Sequence, residues 1–263
     1  MISISSAQLD TWLALFVFPL SRILGLLATA PVFNNAALPV RVRLIAGLAI
    51  TFALTPALPA PPAIPASSWI GLVVLAEQIL IGVLLGFVLR ISFAAVDVAG
   101  ELIGLQMGLS FATFFDPTSG GQTPVITEFL GLLTALIFLS LNGHLLALSV
   151  LAESFTLLPV STAPIHAAAF SSLMSWSATL FSTGLLLSLP LITALLIANI
   201  ALGVLARIAQ QLNLFAVGFP VTLALGFLVL MLSLPYIGVA MEGLFARSFQ
   251  AMGTVMRVAG TPL

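Results

Sequence analysis

Apolar residues run along this chain in blocks about as long as a bilayer is thick, and the polar breaks between them are few. A short polar lead, Met1 to Asp10, opens the chain, and the first block, Trp12 to Phe33, is interrupted at Arg22. Asn34 to Arg43 is a polar connection containing Pro39, Arg41 and Arg43. Leu44 to Leu58 is a shorter block, closed by Pro56, Pro59, Pro61, Pro62 and Pro65, which predict a stiff extended linker. Trp69 to Leu89 has the length of a spanning helix, contains Glu77, Gln78 and a Gly82-x3-Gly86 notch, and is ended by Arg90. From Arg90 to Thr113 the pattern changes. Arg90, Ala94, Asp97 and Glu101 are spaced to share one helical face, beside a ridge of small residues at Gly100, Gly104, Gly108 and Ala112.

The second half repeats the alternation. Val125 to Leu141 carries Glu128 near its start; Asn142-Gly143-His144 interrupts; Leu145 to Leu158 contains Glu153. After a loop from Pro159 to His166, Phe170 to Ile200 is a long apolar run broken by Pro190. Arg207 to Asn213 is a polar turn, and Leu214 to Leu234 holds Gly218-Phe219-Pro220. From Met241 onward, Leu244, Phe245, Phe249, Met252, Val255 and Met256 keep helical spacing opposite Glu242, Arg247, Gln250 and Arg257, which predicts an amphipathic tail helix. The pattern predicts an all-α membrane protein with about six long, partly broken helices.

One stretch breaks the apolar sequence more abruptly than any other. Gln106 to Pro124 combines Phe111, Phe114 and Phe115 with Asp116-Pro117 and Gly120-Gly121. Pro117 disfavours helix at Asp116, and the two glycines supply positive-φ freedom, so the backbone leaves the helix here. A water-exposed connection satisfies these constraints. At membrane depth, irregular backbone is tolerated only where it is buried in protein or lines a cavity, which makes a phenylalanine-rich constriction the second reading.

Composition agrees with the pattern. Hydrophobic residues form 61% of the 263 and charged residues 6%, against about 25% in soluble domains. With no cysteine, disulfides, thiolate zinc sites and a cysteine nucleophile are excluded. All seven basic residues are arginine, which excludes a P-loop lysine or a Schiff-base lysine. They cluster no further than Arg41 and Arg43, too little for nucleic acid. The arginines of the first, third and fifth connections place the N-terminus outside by the positive-inside rule, although Arg247 and Arg257 would then also lie outside. Ala28-Thr29-Ala30 resembles a signal-peptidase site, but no basic region precedes it, so the first block is expected to be a retained helix.

Charge inside a membrane carries a cost of roughly 2.5–3.5 kcal/mol per residue even on the gentler insertion scale. Arg90, Asp97 and Glu101 are therefore expected to face protein or water, as a buried charge network or as a solvated face. Asp97 and Glu101 are also possible proton relays, and with Glu153 they would couple ions in a small-solute secondary transporter, for which no inverted repeat is visible. Gly108-Leu-Ser110-Phe-Ala112 imitates a nucleophile elbow, with Asp116 and His144 as conceivable partners, but no strand precedes it. His144 and His166 lack chelate spacing. No catalytic residue, metal site or cofactor is assigned.

The run Gly100-Glu101-x4-Gln106-Met107-Gly108-x2-Phe111-x4-Asp116-Pro117, followed by Gly120-Gly121-Gln122-x-Pro124, resembles the FliR family of type III secretion export-gate subunits. Gly143-His144-Leu145, Ser154-Phe155 with Pro159, Arg207-x3-Gln211-Leu212-Asn213-x3-Val217-Gly218-Phe219-Pro220, Arg22 and Pro39-x-Arg41-x-Arg43 fit as well. The likeness covers essentially the whole chain, and its central segment looks closer to the flagellar branch than to virulence homologues. It implies a non-enzymatic subunit of a helical gate in the bacterial inner membrane, within the flagellar basal body and partly raised towards the periplasm. The partners it implies are FliP-like, FliQ-like and FlhB-like subunits, unfolded exported flagellar proteins and membrane lipid. It further implies a FliP-like part, about 1–165, and a FliQ-like hairpin with tail, about 166–263. By the same likeness, residues 106–122 form a pore-sealing plug in which Gln106, Met107, Phe111, Phe114, Phe115, Asp116, Pro117, Gly120 and Gly121 act.

Overall fold

The computed structural model describes residues 6–35, 37–59, 64–65, 68–109, 124–208 and 214–260. Among them the chain forms seven α-helices and no strand: α1 (Ser6–Thr29), α2 (Val40–Leu54), α3 (Trp69–Gln106), α4 (Val125–Ser140), α5 (Gly143–Leu157), α6 (Ala168–Ile208) and α7 (Leu214–Gly260). A 3-10 turn, Thr55–Ala57, follows α2. Five helices are long and apolar enough to cross a membrane, or six spans if α4 and α5, bent by 64° at their junction, count as one. The chain is an all-α membrane protein, as the apolar blocks predict.

Helix boundaries depart from the sequence reading where a charge was taken as a stop. Arg90 does not end a helix, because α3 runs through it for 38 residues with the arginine side chain exposed. Pro190 lies inside the 41-residue α6, and Pro220 and Pro235 inside the 47-residue α7, so the amphipathic tail from Met241 is about the last two fifths of one helix. A proline removes one helical hydrogen bond, and neighbouring groups in a membrane helix can absorb that loss. The tail pattern itself is correct in its two faces. Met241, Leu244, Phe245, Met252, Val255 and Met256 are buried, and Glu242, Arg247, Gln250 and Arg257 are exposed.

The chain divides into two compact units: Met1–Ile91 with Asn142–Ser177 and Phe245–Leu263, and Ser92–Leu141 with Ala178–Leu244. In the first, α1 and α3 meet at glycines. A Cβ at Gly25 would sit 2.6 Å from the Ile79 carbonyl oxygen, and a Cβ at Gly82 or Gly86 would overlap the Arg22 carbonyl oxygen or the Thr29 hydroxyl. The notch read from Gly82-x3-Gly86 is therefore filled by α1. α2 leans on the same helix, with Gly47 against Leu24, and Trp176 of α6 donates its indole N–H to the Val88 carbonyl at 3.1 Å. The second unit has its own core of Ile103, Met107, Ile126, Leu130, Leu191 and Leu230 among others, with Phe93 edge-on to Phe138 at 5.6 Å.

Candidate functional site

The ends of the central phenylalanine-rich stretch are set by ordinary helix-terminus chemistry. α3 ends at Gln106 and not at Thr113, because Gly108 adopts φ 82°. Gly108 N–H donates to the Leu105 carbonyl at 3.1 Å and Leu109 N–H to the Gly104 carbonyl at 3.0 Å. These are the paired reverse bonds of a Schellman ending, whose left-handed residue is best supplied by glycine. Met107, within this turn, is fully buried, and a Cβ at Gly226 of α7 would come within 2.7 Å of its Cε. On the far side, extended Pro124 caps α4. The two helices touch closely nearby, since a Cβ at Gly100 would lie 2.5 Å from Thr127 Cα. Both feet of the stretch are thus seated in the core of the second unit.

This geometry separates residues that the sequence grouped together. Gln106 is half-buried at the helix end, and Met107 is a core anchor. Phe111, Ala112, Phe114, Phe115, Asp116, Pro117, Gly120 and Gly121 lie outside the described residues, as does Ser110 of the elbow-like motif. The small ridge is not one continuous surface. Gly100 is spent on α4 within the chain, Gly108 has left the helix, and Gly104 is buried with no described residue within 4 Å of an added Cβ.

The charged stripe points outward. Arg90, Asp97 and Glu101 are each exposed, and no ion pair joins them among the described residues. Asp97 lies beside Gly131, whose missing side chain leaves room for the carboxylate, 3.7 Å from where a Cβ would stand. The described residues alone do not bury these charges.

The buried charge is instead Arg22, fully inaccessible in the first unit. Its Nε and Nη2 donate to Gln78 Oε1 at 2.8 and 2.5 Å, Nη1 to the Ser154 carbonyl at 2.9 Å and Oγ at 3.1 Å, and Nη2 to the Leu158 carbonyl at 2.9 Å. All five guanidinium donors are used. The Phe155 ring lies 4.1 Å from Cζ, within cation–π range. No carboxylate takes part. The compensating negative potential comes from the C-terminal carbonyls of α5, which carry the negative end of that helix's dipole. The sequence showed Arg22 only as an interruption. An arginine inside an apolar run was the available signal that α1, α3 and α5 are pinned there.

The remaining polar candidates gather nothing. His144 stands two residues after Asn142, which holds the left-handed φ of 54° at the α4–α5 bend, and its buried Nδ1 has no partner among the described residues. His166 donates its backbone N–H to the Ala259 carbonyl at 3.4 Å. Among the described residues no group of three metal-ligating side chains forms.

Comparison with known proteins places this architecture. The family model for bacterial export proteins, family 1, matches residues 13–248. A flagellar biosynthetic protein FliR from Pectobacterium carotovorum is 46% identical over 97% of this chain and 98% of its own length. The FliR of Escherichia coli is 43% identical with the same coverage, and that of Aquifex aeolicus is 34% identical over 87% of this chain and 88% of its own. With a family model spanning most of the sequence and relatives aligned nearly end to end, the chain belongs to the FliR family of bacterial export proteins.

Proposed function

We propose that this chain is a non-enzymatic, structural subunit of the flagellar type III export gate in the bacterial inner membrane. In this reading it forms part of the channel for unfolded flagellar proteins and closes it with residues 106–122. The observation that carries the reading is an excess of apolar surface. Along α6, large apolar side chains from Phe170 through Phe181, Leu186, Ile197 and Val204 to Ile208 are exposed. That is nearly 60 Å of helix at about 1.5 Å per residue, against roughly 30 Å of hydrocarbon in a bilayer. Lipid covers about half. The rest calls for apolar protein, and this reading assigns that role to FliP-like, FliQ-like and FlhB-like subunits. In the same reading residues 1–165 are FliP-like, residues 166–263 form the FliQ-like part, and the gate belongs to the basal body with its upper part towards the periplasm. The outward charges of Arg90, Asp97 and Glu101 then find their surroundings in neighbouring subunits.

Gly104 offers a test of assembly. The glycine is buried, but no described residue lies within 4 Å of an added Cβ, so Gly104→Leu meets no described neighbour at that atom. The variant is expected to fold, yet to recover less than about a tenth of the co-expressed partners, because small residues mark surfaces where backbones approach. Native mass spectrometry reads the outcome, and a normal complex yield would remove Gly104 from the assembly surface.

The seal is tested by replacing Phe111, Phe114 and Phe115 together with alanine. A phenylalanine contributes roughly 1.5–3 kcal/mol on full burial, enough in sum to hold a narrow passage dry. The assembled complex should form at normal yield while ion leakage across the membrane rises by about tenfold or more, since hydrophobic constrictions gate by excluding water. Normal assembly with an unchanged conductance would sink the plug. Ser110→Ala should leave export intact.

A further inference from the structure

The crossing of α1 and α3 in the first unit leaves an apolar cleft along one side. Leu20, Leu24 and Ala28 of α1 line it with Leu75, Ile79 and Val83 of α3, and it encloses about 410 Å³. Its one polar wall residue, Ser21, already donates to the Phe18 carbonyl at 2.7 Å. One end of the cleft is basic. α2 follows α1 through a short connection and lies against it at Gly47, next to Leu24 and Leu27. Counting four residues back along α2 and four forward along α1 puts Arg43 level with Ala28. On α3, Gly86 packs on Thr29, so Arg90, one turn further, belongs to the same end. Arg41 and Arg90 are exposed there. Arg43 donates Nη2 to the Leu38 carbonyl at 3.5 Å, and its Nε is buried without a partner among the described residues. The N-terminus of α2 adds backbone N–H groups that no side chain caps. The acid on this stretch of α3, Glu77, stands nine residues before Gly86, about 13 Å down the helix at the usual rise.

We propose that the cleft and its arginine end together bind an anionic phospholipid, with an acyl chain along α1 and α3 and the phosphate at Arg41 and Arg43. Charge complementarity chooses this occupant. Guanidinium groups match phosphate oxygens in geometry and sign, and basic pockets between membrane helices select anionic headgroups. A partner helix, about 10–12 Å across, would seat only a few side chains in the cleft and brings no obligatory anion to its end. The site does not depend on the export-gate reading, because every residue in it belongs to this chain.

The test uses the full chain, delipidated in detergent and supplied with phosphatidylglycerol or with phosphatidylcholine of the same acyl chains. Native mass spectrometry counts the lipid retained. The parent should hold phosphatidylglycerol about tenfold better than phosphatidylcholine, and Arg41→Gln with Arg43→Gln should abolish that preference. Ala28→Trp, which fills the cleft from an exposed position, should lower retention of both lipids. Circular dichroism confirms that each variant is folded, and Arg41→Gln alone, at an exposed position, keeps the test readable should the double variant unfold. Equal retention of the two lipids by the parent overturns the proposal, as does an Ala28→Trp chain that keeps phosphatidylglycerol. Displacement by inorganic phosphate whatever the acyl chain assigns the arginines to a free anion, and loss of a co-expressed subunit from Ala28→Trp with lipid retained assigns the cleft to a protein. Either result also overturns it.

Discussion

Replacing Arg22 by alanine is expected to lower the unfolding free energy by about 3–5 kcal/mol, because several buried polar groups lose their donor at once and a large side chain leaves a cavity. The loss has named parts. Gln78 Oε1, the Ser154 hydroxyl and the Leu158 carbonyl all lose a charged donor. A buried polar group left unpaired costs about 1–3 kcal/mol. The space under the Phe155 ring would also empty. Arg22→Lys should recover little, since one ammonium cannot replace a planar fork that reaches α3 and α5 together. Because the guanidinium is held by neutral acceptors, no opposite charge is stranded when it goes. Arg22→Met combined with Gln78→Leu should therefore restore about half of the loss, as apolar replacements of buried ionic groups often do. Thermal or denaturant unfolding of the full chain in detergent measures the cycle. A single alanine variant within about 1 kcal/mol of the parent would contradict the pin described at this site.

Gly82→Ala should be nearly as damaging, although it adds one methyl group. The new Cβ would overlap the Arg22 carbonyl oxygen and come within 2.9 Å of both the Arg22 carbonyl carbon and the Leu26 nitrogen. These atoms are backbone, so relief requires α1 to move as a body, and overpacking of this kind costs about 1–3 kcal/mol or more. Moving α1 at Arg22 also draws the guanidinium away from Gln78, so Gly82→Ala and Arg22→Ala should combine to less than the sum of their separate effects. Gly86→Ala should be milder, because its closest contact is the rotatable hydroxyl of Thr29, with Thr29 Cβ and the Ala30 nitrogen further off at 2.9 and 3.0 Å. Gly203→Ala supplies the control. Its Cβ meets nothing within 4 Å, and alanine in a helix interior gains about 0.5–1 kcal/mol over glycine. Equal effects at Gly82 and Gly203 would mean that α1 and α3 do not approach at the glycine notch.

The contrast between these two glycines shows what was legible beforehand. Spacing alone found the notch at Gly82 and Gly86, because two small residues one turn apart in an apolar block have few other uses. The same rule misjudged Gly108. Four-residue spacing cannot distinguish a glycine on a packed face from one that ends the helix with a positive φ, and the difference appears only in the carbonyls of Gly104 and Leu105 that its turn satisfies. Arg22 was visible as an anomaly, but its partners were not. Two of its acceptors are backbone carbonyls more than 130 positions away, and every residue has one. The helix end expected at Arg90 is absent for a related reason. A charge can stay on an exposed face, so it does not oblige the backbone to stop. The two faces of the last helix were legible because burial there follows the 3.6-residue period directly.

The Schellman ending and the Gly100–Thr127 contact also place a length limit on whatever residues 110–123 do. The described residues on either side of them are tied to one packed pair of helices. At about 3.3–3.6 Å per residue the segment's full contour is about 50 Å, and a doubled strand reaches no further than about half of that. Any opening that one such loop closes alone must therefore lie within about 25 Å of Leu109 and Pro124, and an insertion in the segment would extend that radius by less than 2 Å for each added residue.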